Sequence, residues 1–89
     1  MITKDNLVWC FDNLAPAHIE AAMNSSNDYI LFELIIFNIG ALSYITSMDY
    51  SEEVEKEAHD NGQVFCDKDT FLQLFKDSNS TNEYLMKYL

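Results

Sequence analysis

The side chains best suited to chemistry in this sequence are two cysteines, Cys10 and Cys66, and two histidines, His18 and His59. A cysteine beside a histidine is the pairing that nucleophilic catalysis uses, and four such side chains together would satisfy a zinc ion. The spacing supports neither chemistry, because the cysteines form no CxxC pair and have no catalytic motif around them. We therefore expect free thiols, no catalytic residue, no metal site and no cofactor.

One stretch, residues 57–64, resembles the calcium loop of an EF-hand in its glycine, Gly62, and in the apolar residue two positions later. With Gly62 at the sixth position, the first and third ligands would be Glu57 and His59, and Lys68 would replace the final bidentate glutamate. A lysine at that position repels a cation. The stretch is therefore predicted to be an ordinary connection between two elements.

Carboxylates dominate the charged residues, since the sequence has 15 acidic residues against 5 lysines and carries a net charge of −10. Such a chain repels the phosphates of nucleic acids and anionic lipid headgroups, so we expect direct binding to neither nucleic acid nor a membrane. Arginine, the usual bidentate reader of phosphate and guanine, does not occur in the sequence. A basic protein surface is the partner that this charge favours.

The acidic residues are concentrated between Asp49 and Asp69, where eight acids and two lysines give a net charge of −6. Such a cluster is typical either of a solubilising face or of a recognition surface for a basic partner. The candidate partner-binding residues are these acids and two aromatic anchors, namely Asp49, Glu52, Glu53, Glu55, Glu57, Asp60, Asp67, Asp69, Trp9 and Tyr50.

The predicted function is that of a small, acidic, non-enzymatic binding protein whose carboxylates stand in for phosphates and occlude a basic surface of another protein. That partner class includes nucleic-acid-binding proteins and nucleases, and phage-encoded inhibitors and immunity proteins offer an analogy of size and charge without a matching motif. The alternative is a helical adaptor or regulatory subunit that binds through an apolar face, with a homodimer as one form. The N-terminal residues lack the pattern of a signal peptide, so we expect a cytoplasmic protein.

All other elements must be arranged around residues 27–48, the densest apolar stretch of a single predicted domain spanning residues 1–89. The stretch is too long for one strand, and on a helical wheel Glu33, Gly40 and Ser43 share one narrow stripe. It therefore predicts a buried central helix, capped by Asn27, in a mainly α-helical domain of five or six helices. The alternative is an α+β fold with a hairpin of strands 29–37 and 41–46, which the many Ile, Phe and Tyr residues favour.

The remaining segments are predicted to be short amphipathic helices around this centre. The first is capped by Thr3 or Asp5 and reaches about Leu14, with Trp9 on its outward side. The second opens at Pro16, and a short extended segment is expected at 63–66. The other predicted boundaries are a polar helix over residues 50–60, capped by Asp49 and ended by Gly62, a helix capped by Asp67, and a last helix capped by Ser80.

Overall fold

The computed structural model describes residues 3–89, apart from the side chains of Ile36 and Phe37. Within that range the chain forms five helices and three strands, and none of the helices has the length and apolar character of a membrane span. The helices are α1 (Lys4–Asp12), α2 (Pro16–Met23), α3 (Glu52–Asn61), α4 (Lys68–Asp77) and α5 (Glu83–Met86). The strands are β1 (Tyr29–Phe37), β2 (Gly40–Met48) and β3 (Val64–Asp67).

The central stretch is an antiparallel β-hairpin, so the prediction of a mainly α-helical domain built on a buried helix over residues 27–48 is wrong. The fold is α+β, as the alternative had it. Asn38 and Ile39 form the turn and divide the stretch into two strands, which removes the argument that it is too long to be extended. Its β-branched and aromatic residues pack well on a pleated surface, and this preference outweighs the helical stripe.

The sheet has the strand order β2-β1-β3, and both pairings of β1 are antiparallel. The short strand β3 pairs only with the first part of β1, where Tyr29 lies opposite Asp67 and Phe32 lies opposite Val64. The extended segment predicted at 63–66 is therefore confirmed with its position shifted by one residue. Because residues directly opposite each other point to the same side, this register determines which side chains share a face.

One side of the sheet, which we call the core face, is covered by helices. Its residues Ile30, Phe32 and Ile45 are each at most 3% exposed. Helices α1, α2, α4 and α5 pack on this face and bury Cys10, Phe11, Leu14, Ile19, Ala22, Phe71, Phe75 and Leu85 together with the strands.

Phe11 lies at the centre of this core. Its ring stacks on Phe32 with 5.0 Å between centroids, and it meets Phe71 and Phe75 edge-on at 5.4 Å and 5.5 Å. These offset and edge-to-face geometries are the favourable arrangements of aromatic rings. They join α1, β1 and α4 into one packed unit.

The opposite side of the sheet, which we call the outer face, is only partly covered. Its residues Ile35, Leu42 and Tyr44 remain exposed, with Leu42 the most exposed at 52%. The expectation that the whole apolar stretch is buried is therefore met on one face only. Helix α3 stands apart from the main core, since its one buried residue, Ala58, lies outside the core cluster.

Two of the predicted helix caps are confirmed and a third boundary is found where expected. The Thr3 hydroxyl accepts a hydrogen bond from the Asn6 amide at 3.3 Å, and the Asp67 carboxylate accepts one from the Thr70 amide at 3.2 Å. Gly62 ends α3 in the left-handed conformation, with φ 71°, which glycine adopts at little cost.

Two other predicted caps are wrong by two residues each. Ser51, rather than Asp49, caps α3, and its hydroxyl accepts from the Val54 amide at 3.3 Å. Asn82, rather than Ser80, caps α5, since its side-chain oxygen accepts from the Tyr84 and Leu85 amides, and the same side chain also donates a hydrogen bond of 2.6 Å to the Phe11 carbonyl. A tertiary contact of this kind has no signature in the local sequence.

Candidate functional site

An open groove of about 690 Å³ lies between α3 and β3. The left-handed cap at Gly62 reverses the chain after α3, so β3 returns alongside the helix that precedes it. The walls of the groove combine aromatic, carboxylate and other polar side chains, namely Tyr50, Glu52, Glu55, His59, Gln63 and Phe65.

Three aromatic rings form a cluster at this groove, and two of them, Tyr50 and Phe65, line it. Tyr29 and Phe65 belong to the outer face, with their ring centroids 5.1 Å apart. Tyr50, which follows β2, lies 5.2 Å from Tyr29 and 6.2 Å from Phe65, and it is 54% exposed. The cluster therefore presents accessible aromatic surface beside the first turn of α3.

The acidic residues of α3 divide between two sides of the helix. Glu52 and Glu55 line the groove, as expected for residues three apart on a helix. Glu53, Glu57 and Asp60 follow the same spacing on another side and do not line it. All five are exposed, so α3 projects carboxylates both into the groove and away from it.

A hydrogen bond joins the aromatic and acidic parts of the groove. The Tyr50 hydroxyl donates to Oε2 of Glu55 at 2.5 Å. This bond, with smaller effects of burial and of the Glu55 and Glu52 charges, raises the pKa of Tyr50 to about 12. Tyr50 is therefore a neutral donor across the physiological range and holds the Glu55 carboxylate in a defined position.

Two further polar residues complete the groove. The Gln63 side-chain amide donates to Glu33 on β1, which ties the end of α3 to the outer face. Lys56 also lines the groove and places one positive charge beside Glu52 and Glu55. The site can therefore offer aromatic stacking, two carboxylates and an amide to a ligand, with one opposing cation.

The remaining predicted partner-binding residues lie elsewhere. Asp49 and Asp69 are exposed outside the groove. Asp67 is engaged in capping α4, where hydrogen bonds from the Thr70 hydroxyl and amide hold the pKa of its carboxyl below the ordinary value. Trp9 is 40% exposed but belongs to α1, which packs on the core face. The structure thus brings together Tyr50, Glu52 and Glu55, and it separates Trp9 from them.

The cysteines and histidines lie on separate elements. Burial raises the pKa of the Cys10 thiol, and the opposing effect of the nearby Ser43 hydroxyl is smaller. Burial, with the neighbouring Asp67 charge, raises the pKa of Cys66 to about 11. Both thiols are therefore protonated and weakly nucleophilic near neutral pH. In the described part of the chain, no three His, Cys, Asp or Glu side chains come close enough to hold a metal ion.

Sequence reasoning missed several residues that line the groove, namely Lys56, His59, Gln63 and Phe65, and it missed Tyr29, whose ring lies beside those of Tyr50 and Phe65. The helical spacing of Lys56 and His59 from Glu52 was a usable signal, because residues four and seven apart share a side of a helix. Phe65 gave no such signal. Its position beside Tyr50 depends on the pairing register of β1 and β3, which only the folded structure defines.

The chain matches no protein-family model, and no characterised protein or solved structure is significantly similar to it. A function for this chain therefore has to be inferred from its groove, its charge and its exposed surfaces.

Proposed function

We propose that this chain is a non-enzymatic binding protein whose α3 region occludes a basic surface of a partner protein, such as a nucleic-acid-binding protein or a nuclease. The observation that supports this most directly is the exposure of all five acidic residues of α3. Helix α3 contributes one buried side chain, Ala58, and so most of its surface is available to a partner.

The proposed mechanism is electrostatic attraction followed by short-range contact. A net charge of −10 attracts a basic partner over a distance of about 10 Å at moderate salt, which speeds association. Each exposed carboxylate adds little by itself, about 1 kcal/mol or less, so the affinity should depend on the group. Tyr50, exposed at the mouth of the groove, supplies an aromatic contact that excludes water.

The test compares two variants with four charges removed from each. The first carries Glu52→Gln, Glu53→Gln, Glu55→Gln and Glu57→Gln, which preserve helix propensity. The control removes four exposed charges away from α3, through Asp5→Asn, Glu20→Gln, Asp28→Asn and Glu83→Gln. Asp12 and Asp77 are avoided in the control because their carboxylates accept hydrogen bonds from Ser80 and Gln73.

The partner is first identified by cross-linking and mass spectrometry, and its binding is then measured by surface plasmon resonance at several salt concentrations. We expect the α3 variant to associate more slowly, with a weaker salt dependence and at least about tenfold lower affinity than the control variant. Equal losses in both variants would show that net charge, rather than α3, controls binding. A partner whose affinity does not change with salt would contradict the proposal.

A second candidate function is self-association through the outer face of the sheet. Ile35, Leu42 and Tyr44 expose apolar surface there, and among residues 29–48 the one charged side chain, Glu33, is hydrogen-bonded to Gln63. Two copies that each carry −10 repel one another, and this weakly charged face is where a second copy meets the least repulsion.

Light scattering distinguishes this candidate from binding to a basic partner, because salt acts in opposite directions. Screening should strengthen contact between two like-charged copies and weaken contact with a basic partner. Leu42→Glu should abolish a dimer, whereas Ile39→Glu, at a turn residue that is 99% exposed, adds the same charge away from the outer face. A monomeric mass at high protein concentration and high salt would rule out the dimer.

A further inference from the structure

The groove between α3 and β3 has two properties that a generally acidic surface does not have. It is a concave space of about 690 Å³, large enough for a long side chain and the adjacent backbone. It also sets the ring of Tyr50 and the ring of Phe65, inclined by 30° to each other, beside the carboxylates of Glu52 and Glu55.

We propose that this groove binds an arginine side chain of the basic partner, an inference that rests on the proposed function and names the chemical group recognised. A guanidinium is planar and weakly hydrated, so it can stack on an aromatic face while its edge donates hydrogen bonds to a carboxylate. The groove supplies both surfaces on adjoining walls. A lysine ammonium, which is compact and strongly hydrated, would use the carboxylates but gain less from the rings.

The existing hydrogen bond between Tyr50 and Glu55 prepares the site for this ligand. It occupies Oε2 of Glu55 and leaves Oε1 to accept from the guanidinium. Glu52, one turn earlier on the same side of α3, can accept a bidentate pair of hydrogen bonds. Because Tyr50 donates only as a neutral phenol, its pKa of about 12 keeps this arrangement intact across the physiological range.

Lys56 gives the proposal a distinctive consequence. Its positive charge lines the same groove and opposes the incoming guanidinium. Removing that charge should therefore strengthen arginine binding. Lys76, which is exposed on α4 away from the groove, is the matched control for the change in net charge.

The test uses two capped peptides of equal charge, one of four arginines and one of four lysines, titrated by calorimetry at low ionic strength. We expect the arginine peptide to bind about tenfold more tightly to the unmodified protein. The paired changes Glu52→Gln and Glu55→Gln should remove this preference. The paired changes Glu53→Gln and Glu57→Gln remove the same charge from another side of α3. They should weaken the binding of both peptides equally and leave the ratio of the two affinities unchanged.

Two further measurements complete the test. Lys56→Gln should raise the affinity for the arginine peptide severalfold more than Lys76→Gln does. In the unmodified protein, whose folding is not in question, adding the arginine peptide should shift the NMR signals of Phe65 and of the Gln63 side-chain amide more than those of Asp5 and Glu20. Shifts of equal size across the surface would overturn the proposed site.

The possible outcomes distinguish failure of the proposed arginine groove from failure of the proposed binding function of α3. Equal affinities for the two peptides, weakened by salt and by both pairs of glutamate changes alike, would overturn the arginine groove and leave the acidic α3 surface as the binding region. Failure of both peptides to bind at low ionic strength would overturn both proposals. Tight arginine binding that survives Glu52→Gln with Glu55→Gln would place the site elsewhere and also contradict the inference.

Discussion

The two faces of the sheet differ in how far the helices cover them. On the core face, Phe32 is fully buried under helices, whereas on the outer face Ile35, only three residues along the same strand, is exposed. The residues are chemically similar, and the alternation of an extended chain alone sends them to opposite sides. Buried packing is therefore concentrated on one face, whereas the other face keeps apolar side chains accessible to solvent.

Polar side chains on the two sides of the sheet differ in whether they bond to other elements of the fold or face solvent. On the helix-covered side, the Lys68 ammonium donates to the Met23 and Ser25 carbonyls at 3.3 Å and 2.6 Å, which fastens the start of α4 to the end of α2. Around the groove, Glu52 and Lys56 are exposed side chains on α3. The Lys68 ammonium therefore connects two helices of the fold, whereas Glu52 and Lys56 are accessible to a ligand.

The largest predicted effect is on the free energy of unfolding, when one side chain on each face of β1 is replaced by alanine. Phe32→Ala should lower the free energy of unfolding by about 3–5 kcal/mol, because it removes a buried ring that contacts Phe11 and Phe71. Ile35→Ala should cost less than about 1 kcal/mol, since the side chain is already exposed. Urea unfolding followed by circular dichroism measures both values. Similar losses in the two variants would mean that the outer face is covered in solution.

The next largest effect is the loss of stability when a helix cap is removed, compared between α5 on the core face and α3 on the outer side. Asn82→Ala should cost about 1–3 kcal/mol, because the side chain accepts from the Tyr84 and Leu85 amides and donates to the Phe11 carbonyl. Ser51→Ala removes a single hydrogen bond to Val54 at the start of α3, so its cost should be about 0.5–1 kcal/mol. The same urea experiment compares them. A larger cost for Ser51→Ala would show that α3 contributes more to stability than its packing indicates.

Much of the local structure could be predicted from this sequence, because its signals are local. Thr3, Pro16, Gly62 and Asp67 begin or end helices as expected, since capping and left-handed conformations depend on one or two neighbouring residues. The prediction of a helix over residues 27–48 failed because a largely apolar run is compatible with a buried helix and with a buried strand. Only the turn at Asn38 and Ile39 separates the two, and asparagine there is a weak signal.

The candidate site was predictable only in part, for the same physical reason. Glu52, Glu55 and Tyr50 lie within six residues of one another, so their grouping follows from a helix and its preceding segment. Phe65 and Tyr29 join them through strand pairing, which links residues far apart in the chain. Trp9 was predicted to belong to the same surface because it lies on the outward side of the first helix on a helical wheel. The sheet that separates α1 from the groove could not be inferred without the fold.

A smaller effect is expected in the ionisation of Tyr50. Because its pKa is raised from 10.0 to about 12, the stabilising hydrogen bond to Glu55 is present below pH 10 and is lost as the pH approaches 12. The phenolate absorbance, taken as the difference between the unmodified protein and Tyr50→Phe, should report this late ionisation. Glu55→Gln should return the pKa of Tyr50 towards 10.0, whereas Glu57→Gln, which removes a charge from another side of α3, should leave it largely unchanged. An early ionisation in the unmodified protein would show that the hydrogen bond does not persist in solution.

The smallest predicted effect is no change at all, and it concerns Trp9. In the free protein its emission should be quenched readily by acrylamide, because 40% of the side chain is exposed. Acrylamide is preferred to iodide because it is neutral, while the net charge of −10 repels an anion. Helix α1 packs on the core face and the groove lies on the outer side, so saturating the groove with the arginine peptide should leave the quenching of Trp9 unaltered.

As a positive control, a Phe65→Trp probe in a Trp9→Phe background should become protected when the peptide binds. Protection of Trp9 in the unmodified protein would mean that the binding surface extends around the helices, and the separation of roles between the two faces would then be wrong.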